Sequence, residues 1–500
     1  MEKAIMRNEH PRPDFMRDTF TNLNGEWQFA FDDADEGIRS LWYRPGYVLP
    51  QVITVPFAYQ TKLSGLGPTD EIHPILWYRR AFTIPEEMKG KRILLRFGAV
   101  DYQCSVYVNG QMAGTHIGGY APFTLDISSL IRDGENDLCV RVVDEPDYTQ
   151  PRGKQHWERG LMGCWYTPVS GIWQTVYLEA VGEYALNQIH ITPDIDRHMF
   201  TAEIALDRMP SDDLELELKV TFEGKHCRTV RTTVSDRCSR VPVDVVVRGA
   251  LDSVHLWQPG KPALYDVEVT LLKKGEVVDH VRTYFGMRQV EVRDGKVYLN
   301  HTPLYQRLVL DQGYWPESLI TPPSDEAIRQ DIEFTLQLGY NGARKHQKLE
   351  DPRYYYWADK LGLLVWGELQ SAYDFTDEMV RRMTETMTDF IDRDFNHPCI
   401  IAWVPLNESW GVRQIYTEKR QQELGRTLYH LTKALDGTRL CSSNDGWEQV
   451  DTDICALHDY AAEGKVMARH FESREMVENH CCDWRPCYAK DHKPTGKEAF

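Results

Sequence analysis

Five hundred residues exceed what one hydrophobic core organises, so roughly two to four domains are expected. A composition of 42% hydrophobic and 26% charged residues fits a soluble globular chain. The formal net charge of −18, with no basic run, argues against nucleic acid and anionic membranes as partners. Aromatics stand out, with 14 Trp and 25 Tyr. They fill β-sandwich cores, and a share of them stacking on sugar rings is the sharper alternative. Met1 to Pro13 is charged and lacks an apolar core of signal-peptide length. No stretch approaches the ~20 apolar residues that cross a bilayer. Eleven scattered cysteines, without framework spacing, point to reduced thiols in a cytoplasm.

Residues 1–182 read as many short strands, among them Trp27–Phe31, Ile93–Phe97 and Thr175–Leu178. Val106 to Gln111 runs into an Asn109-Gly110 hairpin turn, and Asp133-Gly134 marks another turn. This density predicts a sandwich or jelly roll. Residues 183–288 continue with alternating strands, such as Leu214 to Val220 and Tyr265 to Leu271. Their number suits an immunoglobulin-like β-sandwich.

Strand–helix alternation begins near residue 289 and runs to 500. Strands are expected at Leu304–Leu310, Tyr340–Arg344, Leu363–Trp366, Ile400–Val404, Arg439–Ser442 and Ile454–Leu457. Ser324 and Asp351 read as helix N-caps, and Gly339 and Gly362 as helix stops. One helix buries a stripe of Ile328, Ile332 and Leu336, and the next carries Met379, Met383, Met387 and Phe390 on one face. A methionine stripe is ordinarily core packing. A last helix carries Leu424, Leu428, Leu431 and Leu435. Parallel strands with right-handed crossovers follow, best fitted by a (β/α)8 TIM barrel, here incomplete at about six units.

Reacting groups of such barrels sit after the C-terminal ends of the strands. That rule collects Arg344, Lys345 and His346; Glu368; Asn407, Glu408, Ser409 and Trp410; Asn444, Asp445 and Trp447; and His458, Asp459 and Tyr460. Carboxylates, imidazoles, amides and indoles on one rim suit binding a hydroxyl-rich ring and cleaving an acetal. Glycoside hydrolysis needs two carboxyl groups flanking the scissile bond, one of them a proton donor with a raised pKa. Glu408, after an apolar strand, is the acid/base candidate. The plain alternative is that Asn407-Glu408 caps the next helix. His480-Cys481-Cys482 with Cys487 is readable as a zinc site but lacks paired C-x-x-C spacing.

Trp403-Val404-Pro405-Leu406-Asn407-Glu408-Ser409-Trp410-Gly411, preceded by Asn396-His397-Pro398, resembles the acid/base signature of glycoside hydrolase family two. Gly160 to Leu178, containing Tyr166-Thr167-Pro168-Val169-Ser170-Gly171-Ile172-Trp173-Gln174, is similar to that family's jelly-roll signature. Arg344-Lys345-His346-Gln347, Asp351-Pro352-Arg353 and Trp366-Gly367-Glu368 match its barrel motifs in order. The family contains β-galactosidases, β-glucuronidases and β-mannosidases. The resemblance implies a jelly roll, an immunoglobulin-like domain and a TIM barrel. It implies a retaining exo-β-glycosidase acting on terminal β-linked sugars by double displacement, with Glu408 as general acid/base and Asn407 holding the 2-hydroxyl. Arg344, His346, Glu368, His458, Trp410 and Asp445 are implied around the substrate. For Glu368 the plain alternative is a structural carboxylate paired with Arg344, for His458 a scaffold histidine, and for Asp445 a turn residue.

Two departures qualify the resemblance. The family's nucleophile motif, of the T-E-F-G-G type, does not occur, and Lys497 to Phe500 resembles the lead-in to its strand. The nucleophile is therefore expected a few residues beyond Phe500. Glu472, Glu475 and Glu478 lie in a polar, helix-like stretch and are poorer choices. A fragment that binds carbohydrate without cleaving it is the alternative function. Trp165 stands where galactosidases of the family place an aspartate, which weakens a galactose-specific reading. No cofactor is required. Magnesium, used by some galactosidases, would fall to Glu368, and a homo-oligomer is common among relatives.

Overall fold

The computed structural model describes residues 5–211, 213–246, 254–479 and 486–500. Alternation along Gly25–Phe31 turns Trp27 and Phe29 inward. This strand lies in a six-stranded antiparallel sheet, in the order Gln51–Val55, Gly25–Phe31, Ile75–Thr83, Glu135–Val143, Gln103–Val108 and Gln111–Ile117. A four-stranded sheet covers it, built from Phe20–Asn22, Val176–Val181, Arg92–Phe97 and Phe123–Asp126. Trp27, Phe29, Tyr78, Leu95, Val140 and Leu178 fill the space between them, completing the jelly roll. The expected hairpin turn forms, with φ of 52° at Asn109 and 77° at Gly110, as a tight two-residue connection requires.

The next sandwich sets a three-stranded sheet (Leu186–Asp194, Met199–Leu206, Cys238–Asp244) against a four-stranded one. The latter runs Lys225–Val234, Leu214–Phe222, Tyr265–Lys273 and Glu276–Phe285. Leu214, Leu216, Leu218 and Val220 point inward at every second residue, as the alternation predicts.

The barrel begins with β1 (Leu308–Asp311), β2 (Gly342–Lys345), β3 (Leu364–Glu368), β4 (Ile400–Val404) and β5 (Leu440–Cys441), all parallel and in sequence order. Between them run α1 (Asp325–Gln337), α2 (Pro352–Leu361), α3 (Asp377–Asp394) and α4 (Lys419–Leu435). Ser324 caps α1 through Ala327 N, and Asp351 caps α2 through Arg353 N. Met379, Met383, Met387 and Phe390 of α3 are fully buried, so the methionine stripe is core. Each contributes about 1.5–3 kcal/mol of apolar burial.

Two expectations are corrected. The first strand does not start at Leu304, because Leu304 N is bonded to Val297 O in the preceding hairpin. The expected strand Ile454–Leu457 is reduced to Ile454, so five barrel strands form among the described residues rather than six. Its neighbours supply little ladder: Asp453 N and Ile454 N reach Cys441 O on one side, and Ala499 brackets Ile454 on the other. That single parallel pairing puts Ala499 in the position of a seventh strand.

The turn feeding β4 is held from outside the barrel. Asn396 exchanges hydrogen bonds with Ile189 O (2.6 Å) and Ile191 N (2.8 Å) at the edge of the second sandwich. The buried Asp359 carboxylate binds His397 Nδ1 (2.6 Å) and Cys399 N (2.8 Å). Arg288 donates to Pro398 O and Ile400 O. The Asn396-His397-Pro398 motif thus anchors the strand that carries Glu408.

Candidate active site

Chain geometry at the end of β4 is unusual. Glu408 and Ser409 both take positive φ, 47° and 56°, a costly conformation for residues with a Cβ. Neighbours over-determine it: Glu408 N donates to Asp445 O (2.9 Å), Ser409 N to Asn444 Oδ1 (2.9 Å), and Ser409 Oγ to Glu448 Oε2 (2.8 Å). The next helix, α4, is capped by Glu418, so Asn407-Glu408 is not a helix cap.

Arg344 organises the rim. Its Nε meets Glu368 Oε2 at 2.6 Å, one terminal nitrogen meets Asp445 Oδ2 at 2.8 Å, and the other meets Asn407 Oδ1 at 2.5 Å. Burial opposes the guanidinium charge, and the Asp445 and Glu368 carboxylates outweigh it. Glu368, fully buried, also accepts from Gln347 N (3.0 Å) and lies 3.1 Å from His346 Nδ1. Burial would raise its carboxyl, but Arg344 and His346 hold it below the usual range. Asp445 is also buried and sits well below that range, since Arg344 and His458 overcome its desolvation. Asp445 is therefore an ion-paired member of the site and more than a turn residue.

His458 bridges two carboxylates, with Nδ1 2.7 Å from Glu408 Oε1 and Nε2 2.9 Å from Asp445 Oδ2. Its ring occupies space that a Cβ at Gly446 would fill: such an atom would stand 2.4 Å from the imidazole. Burial disfavours the imidazolium, but the bonds to Asp445 and Glu408 push its pKa up to about 9. Tyr460 OH also donates to Glu408 Oε1. The outcome for Glu408 differs from expectation. Burial pushes its carboxyl up, but the bonds from His458 and Tyr460 and the charges of His458 and Lys154 leave it below the usual range. In this state Glu408 is held as a carboxylate.

A pH prediction follows from His458. A raised folded pKa stabilises fully below the unfolded value of about 6.5 and loses that contribution as pH rises through about 9. Stability of the barrel should fall between pH 7 and pH 9.5, and His458→Gln should flatten that decline. An identical decline in both proteins, followed by chemical denaturation across pH, would remove His458 from this role.

The first domain reaches the rim. Gly153 N donates to Ser371 O (3.0 Å), and Tyr373 OH donates to Gly153 O. A Cβ at Gly153, φ 62°, would stand 2.2 Å from Gln347 O, so glycine permits this approach. Beyond it, Trp165 stacks on Trp410 at 5.9 Å and bonds Tyr373 OH, while Lys154 Nζ lies 4.4 Å over the Trp410 ring. Sequence reasoning assigned Lys154 and Tyr373 no part and gave Tyr460 no role. The strand-end rule collects Tyr460 without a role, whereas Lys154 and Tyr373 carry no local signal, because only the docking of the jelly roll on the barrel brings Lys154 to Trp410 and Gly153 to Tyr373. Glu472 and Glu475 are exposed and stand at no strand end. The Glu478 side chain lies outside the described residues, as do His480, Cys481 and Cys482; Cys487 is buried, with Sγ bonded to Val477 O. Glu368 is committed to a guanidinium, which does not suit a cation ligand. Among the described residues no group of three or more His, Cys, Asp or Glu is arranged to hold a metal.

Comparison with known proteins agrees with this architecture. Residues 20–179 match the sugar binding domain of glycosyl hydrolases family 2, residues 184–288 match glycosyl hydrolases family 2, and residues 290–495 match its TIM barrel domain. A β-galactosidase of Thermoanaerobacter pseudethanolicus is 27% identical, over 91% of this chain and 60% of its own length. A putative β-glucuronidase of Formosa agariphila is 29% identical, over 67% of this chain and 40% of its own length. The chain thus spans less than two thirds of the length of these relatives. A solved β-glucuronidase from Ruminococcus gnavus in complex with D-glucuronic acid superposes with a TM-score of 0.72 at 21% identity, covering 88% of this chain and 74% of that one. That likeness is one of fold. The three family matches lie in order along nearly all of the sequence, and the chain belongs to glycosyl hydrolase family 2.

Proposed function

We propose that this chain carries the acid/base side of a retaining exo-β-glycosidase acting on terminal β-linked sugars, in the manner of β-galactosidases. The observation that carries this reading is the Glu408–His458–Asp445 chain of hydrogen bonds at the rim of the barrel, beside Asn407. Asn407 Nδ2 is buried and has no hydrogen-bond partner among the described residues. An orphaned amide donor of this kind is costly unless a ligand uses it, and a sugar 2-hydroxyl is a fitting acceptor. Glu408 would protonate the glycosidic oxygen and then activate water on the glycosyl-enzyme. Proton delivery requires the carboxyl to rise from its present depressed range. An attacking carboxylate about 5–5.5 Å away would raise it by like-charge repulsion.

Glu368 and Asp445 are both bound by Arg344 and are poor nucleophiles. The attacking carboxylate of a double displacement is therefore a group other than these two. The same observation favours a second reading, in which residues 1–500 alone bind sugar without cleaving it. The nine described cysteines are all free thiols, which supports a cytoplasmic setting, and no described helix is long and apolar enough to cross a membrane.

The test is the stereochemistry of hydrolysis. Proton NMR of the first turnovers on aryl β-galactoside, glucuronide, glucoside and mannoside should show the β-anomer as the initial product and should name the sugar. An initial α-anomer would replace the retaining mechanism with an inverting one. Activity confined to polypeptides that extend past Phe500 would establish the second reading for residues 1–500.

A further inference from the structure

Lys154 is a cation without an ionic partner. It is 7% exposed, and among the described residues it makes no side-chain hydrogen bond and no ion pair. Its Nζ lies over the Trp410 ring at 4.4 Å, two residues from Glu408, and its charge acts on the Glu408 carboxylate. Burying an ammonium costs several kcal/mol, of which a cation–π contact offsets about 0.5–2. The placement is rigid. Tyr166 N donates to Lys154 O (2.8 Å), His156 N donates to Tyr166 O (2.9 Å), and Gly153 is tied to Ser371 and Tyr373.

The other cations of the rim are spoken for. Arg344 is engaged by Glu368 and Asp445, and His458 by Asp445 and Glu408. The chain as a whole carries a formal charge of −18, so its long-range field repels anions and Lys154 is a local exception. Trp165 and Trp410, both partly exposed and backed by the buried Tyr373, stand beside it and offer ring surface to a sugar.

We propose that Lys154 forms a subsite for an anionic substituent, a carboxylate or a sulfate ester, on the sugar that binds against Glu408. This rests on the glycoside-binding reading of the site and specifies its substrate class. The jelly roll then selects the charge of the substrate, while the barrel supplies the chemistry. A charge-assisted bond to a desolvated ammonium favours the anionic sugar by about 10–100-fold.

Titration calorimetry of the chain with methyl β-D-glucuronide, methyl 6-O-sulfo-β-D-galactoside and methyl β-D-galactoside tests this directly. At least one anionic glycoside should bind 10–100-fold tighter than the neutral one, and whichever it is distinguishes carboxylate from sulfate. Lys154→Met should erase the difference, while Lys154→Arg should keep much of it. Thermal melts of both variants control for folding, and the wild-type preference stands even if Lys154→Met does not fold. Equal or tighter binding of the neutral glycoside, an equal loss for all three ligands in Lys154→Met, or no binding of any would overturn the proposal. Hydrolysis of neutral and anionic aryl glycosides with equal efficiency would remove the subsite and leave the hydrolase reading intact. Lys154-dependent binding of anionic sugars with no cleavage of any glycoside would do the reverse.

Discussion

Replacing Arg344 by Leu is expected to destabilise the barrel by about 3–5 kcal/mol and to abolish sugar binding at the site. The guanidinium is the shared counter-charge of Glu368 and Asp445, both buried, and it also fixes the amide of Asn407. Leucine leaves Glu368 only His346 and Gln347 N and leaves Asp445 only His458 and Ser442, and it frees Asn407 to turn. Lysine retains a charge but not the planar fork that reaches three partners, so Arg344→Lys should fall between the two. The pH dependence gives a signature. In the wild type, the depressed carboxyls of Glu368 and Asp445 contribute stability above about pH 4, lost as pH falls through their folded values. Without the arginine only His346 and His458 oppose the effect of burial, so both carboxyls rise and protonation costs the folded state less. The deficit of Arg344→Leu should therefore shrink from pH 7 to pH 4 in denaturant titrations. A deficit that is small, or that widens in acid, would show that Arg344 does not balance these charges.

The layered plan and most of the rim were legible because they rest on local rules. Alternation gave Trp27 and Phe29 their inward face, the caps at Ser324 and Asp351 bounded two helices, and the strand-end rule collected Arg344, Glu368, Asn407, Glu408, Asp445 and His458. What escaped depends on contacts distant in sequence. The Ile454 segment has the composition of a strand, but ladder length is set by its neighbours, and one of them supplies only Ala499. Lys154 lies in a loop of the first domain and meets Trp410 only through docking. The depressed Glu408 carboxyl was likewise unreadable. An apolar strand before it suggested desolvation, and desolvation is indeed the largest single influence, but His458 and Tyr460 together outweigh it. Fifty residues separate Glu408 from His458 along the chain.

The acid/base role proposed for Glu408 predicts the largest catalytic loss. Glutamine fills the same space and cannot transfer a proton, so Glu408→Gln should lower kcat/KM by about 10²–10⁴ on glycosides whose leaving group needs protonation. The loss should be much smaller on a dinitrophenyl glycoside, whose leaving group departs as a stable anion. The fold should persist, because glutamine keeps the volume and the backbone bond to Asp445, while the stability contributed by the Glu408–His458 ion pair is lost. The most direct measurement is therefore kcat/KM for a phenyl and a dinitrophenyl glycoside, by wild type and Glu408→Gln, in the polypeptide that supplies the attacking carboxylate. A loss concentrated on the phenyl glycoside establishes Glu408 as the proton donor. Unchanged hydrolysis of both would contradict it and return Glu408 to the scaffold.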